Sequence, residues 1–284
     1  MLGIVGGSGL YDMAMDDKRW EAVASPWGEP SDEVLRGSIG GTQVAFLPRH
    51  GRSHRLPPSA IDYRANVDAL KRVGVTHMVS ISACGSFRET MEPGRFVIVD
   101  QFIDRTFARE KSFFGPGCVG HVSVAEPVCA GLGDAIERAC MAEAIPHHRG
   151  GTYLAMEGPQ FSTLAESRLY REQWGCDVIG MTNMPEAKLA REAEIHYATV
   201  AMVTDFDSWH PDHGEVDVSS IIEVMKGNGE KAARLVAALA DAFAPSCGQG
   251  CDEALTFAVM TAPDARDPAL IEKLDAVAGR VLGG

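Results

Sequence analysis

The chain has 284 residues, of which 45% are apolar, and its formal net charge at neutral pH is −13. This length and apolar content suit one large domain or two small ones with a full hydrophobic core. The acidic balance argues against nucleic-acid binding, which relies on Lys and Arg to neutralise phosphates. A small anion is still compatible, because local arginines and backbone N–H groups can form a positive pocket inside an acidic protein.

The sequence contains no indication of membrane insertion or export. No apolar run reaches the roughly 18 residues that a transmembrane helix needs, and the N-terminus lacks the basic region and long apolar stretch of a signal peptide. The seven cysteines are scattered and odd in number, a pattern that fits a reducing compartment. We therefore expect a cytoplasmic protein without a membrane partner.

Strand-like and helix-like segments alternate along the chain. The predicted strands are 2–5, 43–48, 75–82, 95–102, a segment between Gly151 and Glu157, 177–182 and 195–204. The predicted helices, identified by apolar residues at helical spacing, are 60–73, 128–144, 163–174, 185–193 and 219–243. The alternation predicts an α/β, single-domain layered fold with a central mixed sheet flanked by helices.

We expect the main domain to cover residues 1–244. Residues 245–284 are predicted to form a loop and a short final helix, either as part of the same domain or as a tail. Cys247 and Cys251 in this segment have no His or further Cys beside them at metal-ligand spacing, so we expect no metal site there.

Two carboxylates stand two residues apart at the end of the predicted strand 195–204. Residues i and i+2 of a strand point the same way, so Asp205 and Asp207 can converge on a ligand at the carboxyl end of the sheet. A carboxylate pair accepts hydrogen bonds and can donate a proton if one member is desolvated. The alternative is an ordinary turn, because Asp is a common turn residue.

Other strand ends carry small, hydroxyl or basic residues. Gly6–Gly9 follows the first strand but matches neither a dinucleotide fingerprint nor a Walker A loop, so it is a weak anion signal with a plain tight turn as the alternative. Arg49 and His50 follow the second strand and offer donors that suit phosphate oxygens. Ser82–Ser86 follows the third strand, where we expect Cys84 to serve in packing rather than as a nucleophile. These strand ends predict one shared pocket.

Seven motifs in this order resemble the 5′-methylthioadenosine phosphorylase branch of the purine nucleoside phosphorylase family. The resemblance covers roughly residues 1–243 and is carried by Gly6-Gly7-Ser8-Gly9, Pro48-Arg49-His50-Gly51, Ala83-Cys84-Gly85-Ser86, Asp100-Gln101-Phe102-Ile103-Asp104-Arg105-Thr106, Met156-Glu157-Gly158-Pro159-Gln160-Phe161-Ser162, Met181-Thr182 and Thr204-Asp205-Phe206-Asp207. It implies a homotrimer, or a dimer of trimers, that uses inorganic phosphate as a co-substrate and needs no other cofactor and no metal.

The resemblance also implies roles for particular residues. Phosphate contacts fall on Ser8, Arg49, His50, Ser82, Ala83 and Thr182. Nucleoside contacts fall on Met181, Asp205 and Asp207, to which we add Phe161, and the 5′-substituent is lined by Ile221 and by His121 from a neighbouring subunit. Ser162 and Val218 match positions that separate this branch from ordinary purine nucleoside phosphorylases. The chain has Ser8, Ser82 and Phe206 where Thr, Thr and Tyr are common, and the two serines keep the hydroxyl.

The implied reaction is phosphorolysis of S-methyl-5′-thioadenosine to adenine and 5-methylthioribose 1-phosphate, with Asp205 as the candidate general acid and Asp207 beside it. Carboxylates accept hydrogen bonds from a 6-amino group and repel a 6-oxo group, which predicts adenine as the base. The alternatives are a broader phosphorylase that also takes 5′-deoxyadenosine or adenosine, one that prefers 6-oxopurines, a hydrolytic nucleosidase, and a non-catalytic nucleoside-binding module.

Overall fold

A computed structural model describes residues 1–11, 13–212, 218–243 and 247–283, apart from the side chains of Ser8 and residues 218–220. Within these residues eleven strands form one sheet. They are β1 Leu2–Gly6, β2 Asp16–Glu21, β3 Val34–Ile39, β4 Thr42–Pro48, β5 His77–Ser86, β6 Phe96–Val99, β7 Gln101–Arg105, β8 His147–Arg149, β9 Thr152–Met156, β10 Val178–Gly180 and β11 His196–Asp205.

The sheet branches at the long strand β5. On one side, β5 pairs with β1, and the order continues through β4 and β3 to the edge strand β2. From His77 to Gly85, β5 also pairs in parallel with β11, and its last two residues pair antiparallel with β10. Parallel and antiparallel pairs occur together, so the predicted mixed sheet is confirmed.

Seven α-helices flank this sheet in the described part of the chain: α1 Tyr63–Arg72, α2 Ala130–Ala142, α3 Leu164–Arg168, α4 Asn183–Glu192, α5 Val218–Asp241, α6 Pro268–Lys273 and α7 Asp275–Leu282. Helices α1, α4 and α7 contribute to one buried apolar cluster, and α2 and α5 contribute to another. Successive strand residues supply the two clusters in turn, as Met78 and Val79 do in β5. The alternation of side chains across the strands therefore produces the layers.

Most predicted elements agree with the observed ones to within a few residues, but β2, β3 and β8 were not predicted, and the predicted strand 95–102 is two strands, β6 and β7. The edge strand β2 is exposed along almost its whole length and reads Asp-Asp-Lys-Arg-Trp-Glu, so it has no apolar alternation to reveal it. The predicted helix 163–174 is the short helix α3 followed by a π-helical turn, Leu169–Gln173.

The C-terminal segment packs into the same core as the sheet. Leu255, Leu274 and Val277 are almost completely buried in the cluster that includes α1 and α4. Arg72 of α1 also forms an ion pair with Asp275. These contacts favour the alternative in which residues 245–284 are part of the same domain.

Candidate active site

Three strands and one helix bring the predicted phosphate residues together. The Arg49 backbone N–H donates to the carbonyl of Gly6 at the end of β1 (3.0 Å). The Ser82 hydroxyl, on β5, donates to Oδ1 of Asn183, the first residue of α4 (3.0 Å). The ends of β1, β4 and β5 therefore meet the start of α4.

The Arg49 side chain is 1% exposed at this meeting point. Its Nε donates to Glu186 of α4 (2.8 Å), its Nη2 to Ser80 (2.5 Å), and its Nη1 to the Ile81 carbonyl (3.1 Å). An arginine has five N–H donors, and one on Nη1 has no partner among the described residues. Because Glu186 balances the charge, the cation is held in place without an anion in the pocket.

His50 is a neutral hydrogen-bonding group here. Burial lowers the pKa of His50 to about 4, with help from the Arg49 charge, against the raising effect of its bond to Leu56. Its Nδ1 lies 2.8 Å from the Leu56 carbonyl, which can only accept, so Nδ1 carries the proton. His54 stacks on its ring at 4.2 Å. The imidazole is therefore neutral at pH 7 in this arrangement, and its Nε2 is an acceptor.

Thr182 occupies the N-cap of α4, where its hydroxyl makes no capping bond. The next residue, Asn183, is completely buried, and its Nδ2 donates to Ser80, Tyr197 and Thr199. This network fixes the segment that leads into the regular helix, which is extended at Met184 (φ −122°, ψ 133°). The Thr182 hydroxyl is therefore the group of this segment that can bind an anion.

Asp205 and Asp207 lie together against Gly85 of β5. A Cβ added to Gly85 would lie 2.8 Å from Asp205 Oδ1 and 3.3 Å from Asp207 Cβ, so only glycine leaves room for the pair. The expectation that strand alternation aligns them is wrong, because β11 ends at Asp205. A turn brings them together instead: Asp207 has a φ of 50° and its N–H donates to Asp205 Oδ1 (2.8 Å).

Both carboxyl groups of this pair hold a proton more tightly than usual. Burial raises the pKa of Asp205, although the Thr204 hydroxyl and the Asp207 N–H bind its charged form. Burial also raises the pKa of Asp207, and the Asp205 charge adds to the effect, whereas nearby Ser167 and Ser162 lower it. The buried Asp207 Oδ2 has no hydrogen-bond partner among the described residues. A ligand N–H placed against it would satisfy this oxygen.

A loop that ends at Ser162 forms another wall near the carboxylate pair. Ser162 is 6% exposed, and its carbonyl accepts a hydrogen bond from Ser208 (2.8 Å), next to Asp207. Phe161 is 42% exposed. Met181 packs against Gly158, where an added Cβ would lie 2.5 Å from its sulfur. The structure thus gathers these predicted nucleoside residues at the end of the sheet where the aspartates lie.

Arg109 connects several segments of this region, and its role was not predicted from the sequence. Its side chain is 1% exposed and pairs with Glu157 (3.2 Å). Its Nη1 donates to the carbonyls of Met181 (2.5 Å) and Met184 (2.7 Å), and its Nη2 donates to the Glu157 carbonyl (2.7 Å). One arginine thus ties the loop after β9 to the start of α4, and only its spatial position reveals this.

The remaining predicted residues lie elsewhere or outside the described part. His121 is exposed, and its N–H donates to the carbonyl of Ala258 (2.9 Å). Ile221 is half-buried near the start of α5. Ser8 and Val218 have side chains outside the described residues. Cys84 is buried, which raises the pKa of its thiol well above the ordinary value, so it is no nucleophile.

Comparison with known proteins gives consistent matches over the whole chain. The sequence model of the phosphorylase superfamily matches residues 1–241. The S-methyl-5′-thioadenosine phosphorylase of Cereibacter sphaeroides is 62% identical over 288 residues, which span 100% of this chain and 99% of that protein. The enzyme of that name from Rhodospirillum rubrum is 61% identical, over 100% and 97%. A crystal structure of methylthioadenosine phosphorylase from an antarctic soil metagenomic library has a TM-score of 0.92 at 46% identity, covering 97% of this chain and 98% of that one.

Proposed function

The chain belongs to the phosphorylase superfamily, and we propose that it catalyses the phosphorolysis of S-methyl-5′-thioadenosine to adenine and 5-methylthioribose 1-phosphate. The observation that carries this proposal is that two chemically different groups of residues lie against one strand, β5. Ser82 marks the anion-binding end of β5, and Gly85 lies under the carboxylate pair three residues further on. At 3.3 Å per residue the two ends are about 10 Å apart, a distance that a nucleoside can span.

Phosphate would lie at the end formed by Arg49, Ser82, Ala83 and Thr182. The free Nη1 hydrogen and the two hydroxyls would donate to its oxygens and hold it against C1′ of the sugar. The Nε2 of the neutral His50 ring would accept a hydrogen bond from a protonated phosphate oxygen. Fixing the nucleophile in this way replaces much of the translational entropy that a bimolecular attack would cost.

The purine would lie at the carboxylate end. Breaking the C1′–N9 bond leaves negative charge on the purine and oxocarbenium character on the sugar. Asp205, whose pKa burial raises, would donate a proton or hydrogen bond to N7 and so relieve that charge. Asp207 Oδ2, buried and without a partner among the described residues, would accept from the 6-amino group.

This arrangement also explains the choice of base. A 6-oxo group at Asp207 would place two acceptors against each other, and each unsatisfied buried group costs about 1–3 kcal/mol. Adenine is therefore favoured over hypoxanthine and guanine. Met181 and Phe161 would contact the nucleoside, and Ser162 would distinguish this branch from ordinary purine nucleoside phosphorylases.

The 5′ end and the assembly belong to the same proposal. Val218 and Ile221 would line the 5′-methylthio group, with His121 contributed across a contact between subunits of a homotrimer. In support, His121 is exposed, and so are Phe107, at 81%, and Phe161. Light scattering on the purified enzyme should give the mass of three chains, or of six for a dimer of trimers, and a monomer with full activity would contradict the shared pocket.

We also propose that the enzyme works in the cytoplasm and that phosphate is its only co-substrate. The seven cysteines are free, as expected in a reducing compartment. No helix in the described ranges is long and apolar enough to cross a bilayer.

The deciding experiment measures adenine release from methylthioadenosine, 5′-deoxyadenosine, adenosine and inosine, each with and without phosphate. We expect the highest kcat/KM with methylthioadenosine, release only when phosphate is present, and little cleavage of inosine. A rate that is independent of phosphate would identify a hydrolytic nucleosidase instead. Faster cleavage of inosine would identify a 6-oxopurine phosphorylase, and binding without release would leave a nucleoside-binding module.

A further inference from the structure

Four potential metal ligands meet beside the first residue of β11. The Sγ atoms of Cys129, Cys247 and Cys251 and a ring nitrogen of His196 all lie within 4.8 Å of one another. Cys129 immediately precedes α2, His196 is the first residue of β11, and the other two cysteines come from the C-terminal segment. Three separate parts of the chain therefore converge on one point.

The spacing of these atoms fits a tetrahedral ion. Zinc–sulfur bonds of about 2.3 Å and zinc–nitrogen bonds of about 2.0 Å place the ligand atoms of a tetrahedron roughly 3.5–3.8 Å apart. Cys129 Sγ lies 3.5 Å from His196 Nδ1, and Cys247 Sγ lies 3.3 Å from Cys251 Sγ. The latter distance is well beyond an S–S bond of about 2.05 Å, and all the cysteines involved are free.

The neighbouring donors suit a cluster of thiolates. Arg191 Nη1 lies 3.2 Å from Cys251 Sγ, and the Gln249 N–H donates to Cys247 Sγ (3.4 Å). A zinc ion with three thiolates and a neutral imidazole carries a net charge of −1, which Arg191 can balance. The Gln249 side chain also accepts from the Ala130 N–H at the start of α2 (2.7 Å), which holds this loop against Cys129.

We propose that Cys129, His196, Cys247 and Cys251 bind one structural zinc ion. Cys-x₃-Cys is an ordinary spacing for one half of such a site, and thiolates with imidazole are the ligands that zinc prefers. Binding replaces three thiol protons by one Zn²⁺ and changes no oxidation state. The proposal departs from the expectation of no metal drawn from the sequence, which considered only residues beside the Cys247–Cys251 pair.

The ion would be structural rather than catalytic. All four positions are filled by protein, which leaves none open for water or substrate. His196 and Asp205 are at opposite ends of β11, about 30 Å apart at 3.3 Å per residue. The ion would instead anchor the C-terminal segment, whose Ala258 carbonyl in turn binds the His121 N–H.

Metal analysis of the full-length protein tests the site. The protein is purified under reducing conditions, supplied with one equivalent of Zn²⁺ per chain, desalted, and measured by plasma mass spectrometry. We expect about one zinc per chain, and with Co²⁺ the intense visible bands of tetrahedral sulfur coordination. Cys247→Ser and Cys251→Ser should lose at least tenfold in zinc affinity and melt at a lower temperature, with activity intact well below that temperature.

The matched control is Cys140→Ser, which changes a completely buried cysteine of α2 outside the cluster. It should keep one zinc per chain even if its melting temperature falls. The proposal is overturned if the wild type binds no metal after reconstitution, if both tail variants retain zinc, or if mass spectrometry of the reduced-purified protein finds a disulfide among these cysteines.

Discussion

Asp205 and Asp207 differ in how the protein uses them. Both oxygens of Asp205 accept hydrogen bonds within the chain, from Thr204 and from the Asp207 N–H. Asp207 instead keeps one oxygen buried without a partner among the described residues. Asp205 is thus held in a fixed orientation, as a proton donor needs to be. Asp207 can accept a hydrogen bond from a ligand.

Asp205→Asn should lower kcat for methylthioadenosine about 10²–10⁴-fold, the usual contribution of a general acid. Because burial raises the Asp205 pKa, wild-type activity should fall as pH rises through that raised pKa, where the acid loses its proton. The variant should lack this decline. The measurement is a pH profile of kcat for both proteins.

Asp134→Asn is the control, since Asp134 is an exposed residue of α2. It should leave the profile unchanged. Equal turnover in Asp205→Asn and the wild type would remove Asp205 from the acid role, and a decline retained in the variant would assign the titration to another group.

Glu192, at the end of α4, links pH to stability. Burial raises its pKa from 4.5 to about 7, against bonds from Phe113 N–H and the Ser112 hydroxyl. The folded state therefore holds the proton more tightly than the unfolded state, so this contribution is complete below pH 4.5 and is lost as pH rises through about 7. The free energy of unfolding should fall by about 3 kcal/mol over that range.

Glu192→Gln mimics the protonated group and should flatten this pH dependence, as measured by denaturant unfolding at about pH 5 and pH 8. Glu110→Gln changes an exposed carboxylate and should follow the wild type. The same slope in Glu192→Gln as in the wild type would show that Glu192 is ionised throughout.

Helix α4 combines two tasks at the anion end of the pocket. Its Glu186 pairs with the buried Arg49, and its first residue, Asn183, accepts a hydrogen bond from the Ser82 hydroxyl. Arg109 fixes the approach to the helix through the carbonyls of Met181 and Met184. The element is therefore braced at its start before any phosphate binds, which limits the reorganisation that binding requires.

Thr182→Val should raise KM for phosphate about tenfold to a hundredfold, because a hydrogen bond to a charged group contributes about 1.5–3 kcal/mol. The hydroxyl makes no capping bond, so the helix loses little, and the melting temperature and KM for the nucleoside should change little. Steady-state kinetics with phosphate varied at saturating nucleoside provides the measurement.

Thr163→Val is the matched change at an N-cap whose side chain does cap its helix. It should lower stability by about 1 kcal/mol and leave KM for phosphate unchanged. If Thr182→Val acts in the same way as Thr163→Val, Thr182 serves the helix and not the anion.

At the scale of the whole molecule, the C-terminal segment completes the core. Leu274 is completely buried between α6 and α7 and belongs to the cluster beneath α1 and α4. Leu274→Ala should cost about 2–5 kcal/mol. The melting temperature of the entire chain should fall by roughly 5–15 °C in a single calorimetric transition.

Met260→Ala, at a residue of the same segment that is 67% exposed, should leave that transition in place. A separate low-temperature transition in Leu274→Ala would show that residues 245–284 are a tail with their own stability. A single shifted transition would show one cooperative domain.

Local sequence patterns were sufficient for most of the architecture. Apolar strands and amphipathic helices can be recognised from short segments, because burial on one or both faces determines which positions are apolar. The α/β class, the family and the reaction followed from such segments and from the motifs at their ends. The edge strand β2 was not predicted, because an exposed strand has no such apolar pattern.

Relations across the sheet could not be read from the chain, because they depend on contacts between residues distant in sequence. The pairing of Arg49 with Glu186, the three carbonyls gathered by Arg109, and the meeting of Cys129 and His196 with Cys247 and Cys251 are of this kind. Even the carboxylate pair was placed together for the wrong local reason, since a turn and the space above Gly85 hold it, not strand alternation. The residue types determine which chemistry is available, and the packing of the folded chain determines which of these residues come into contact.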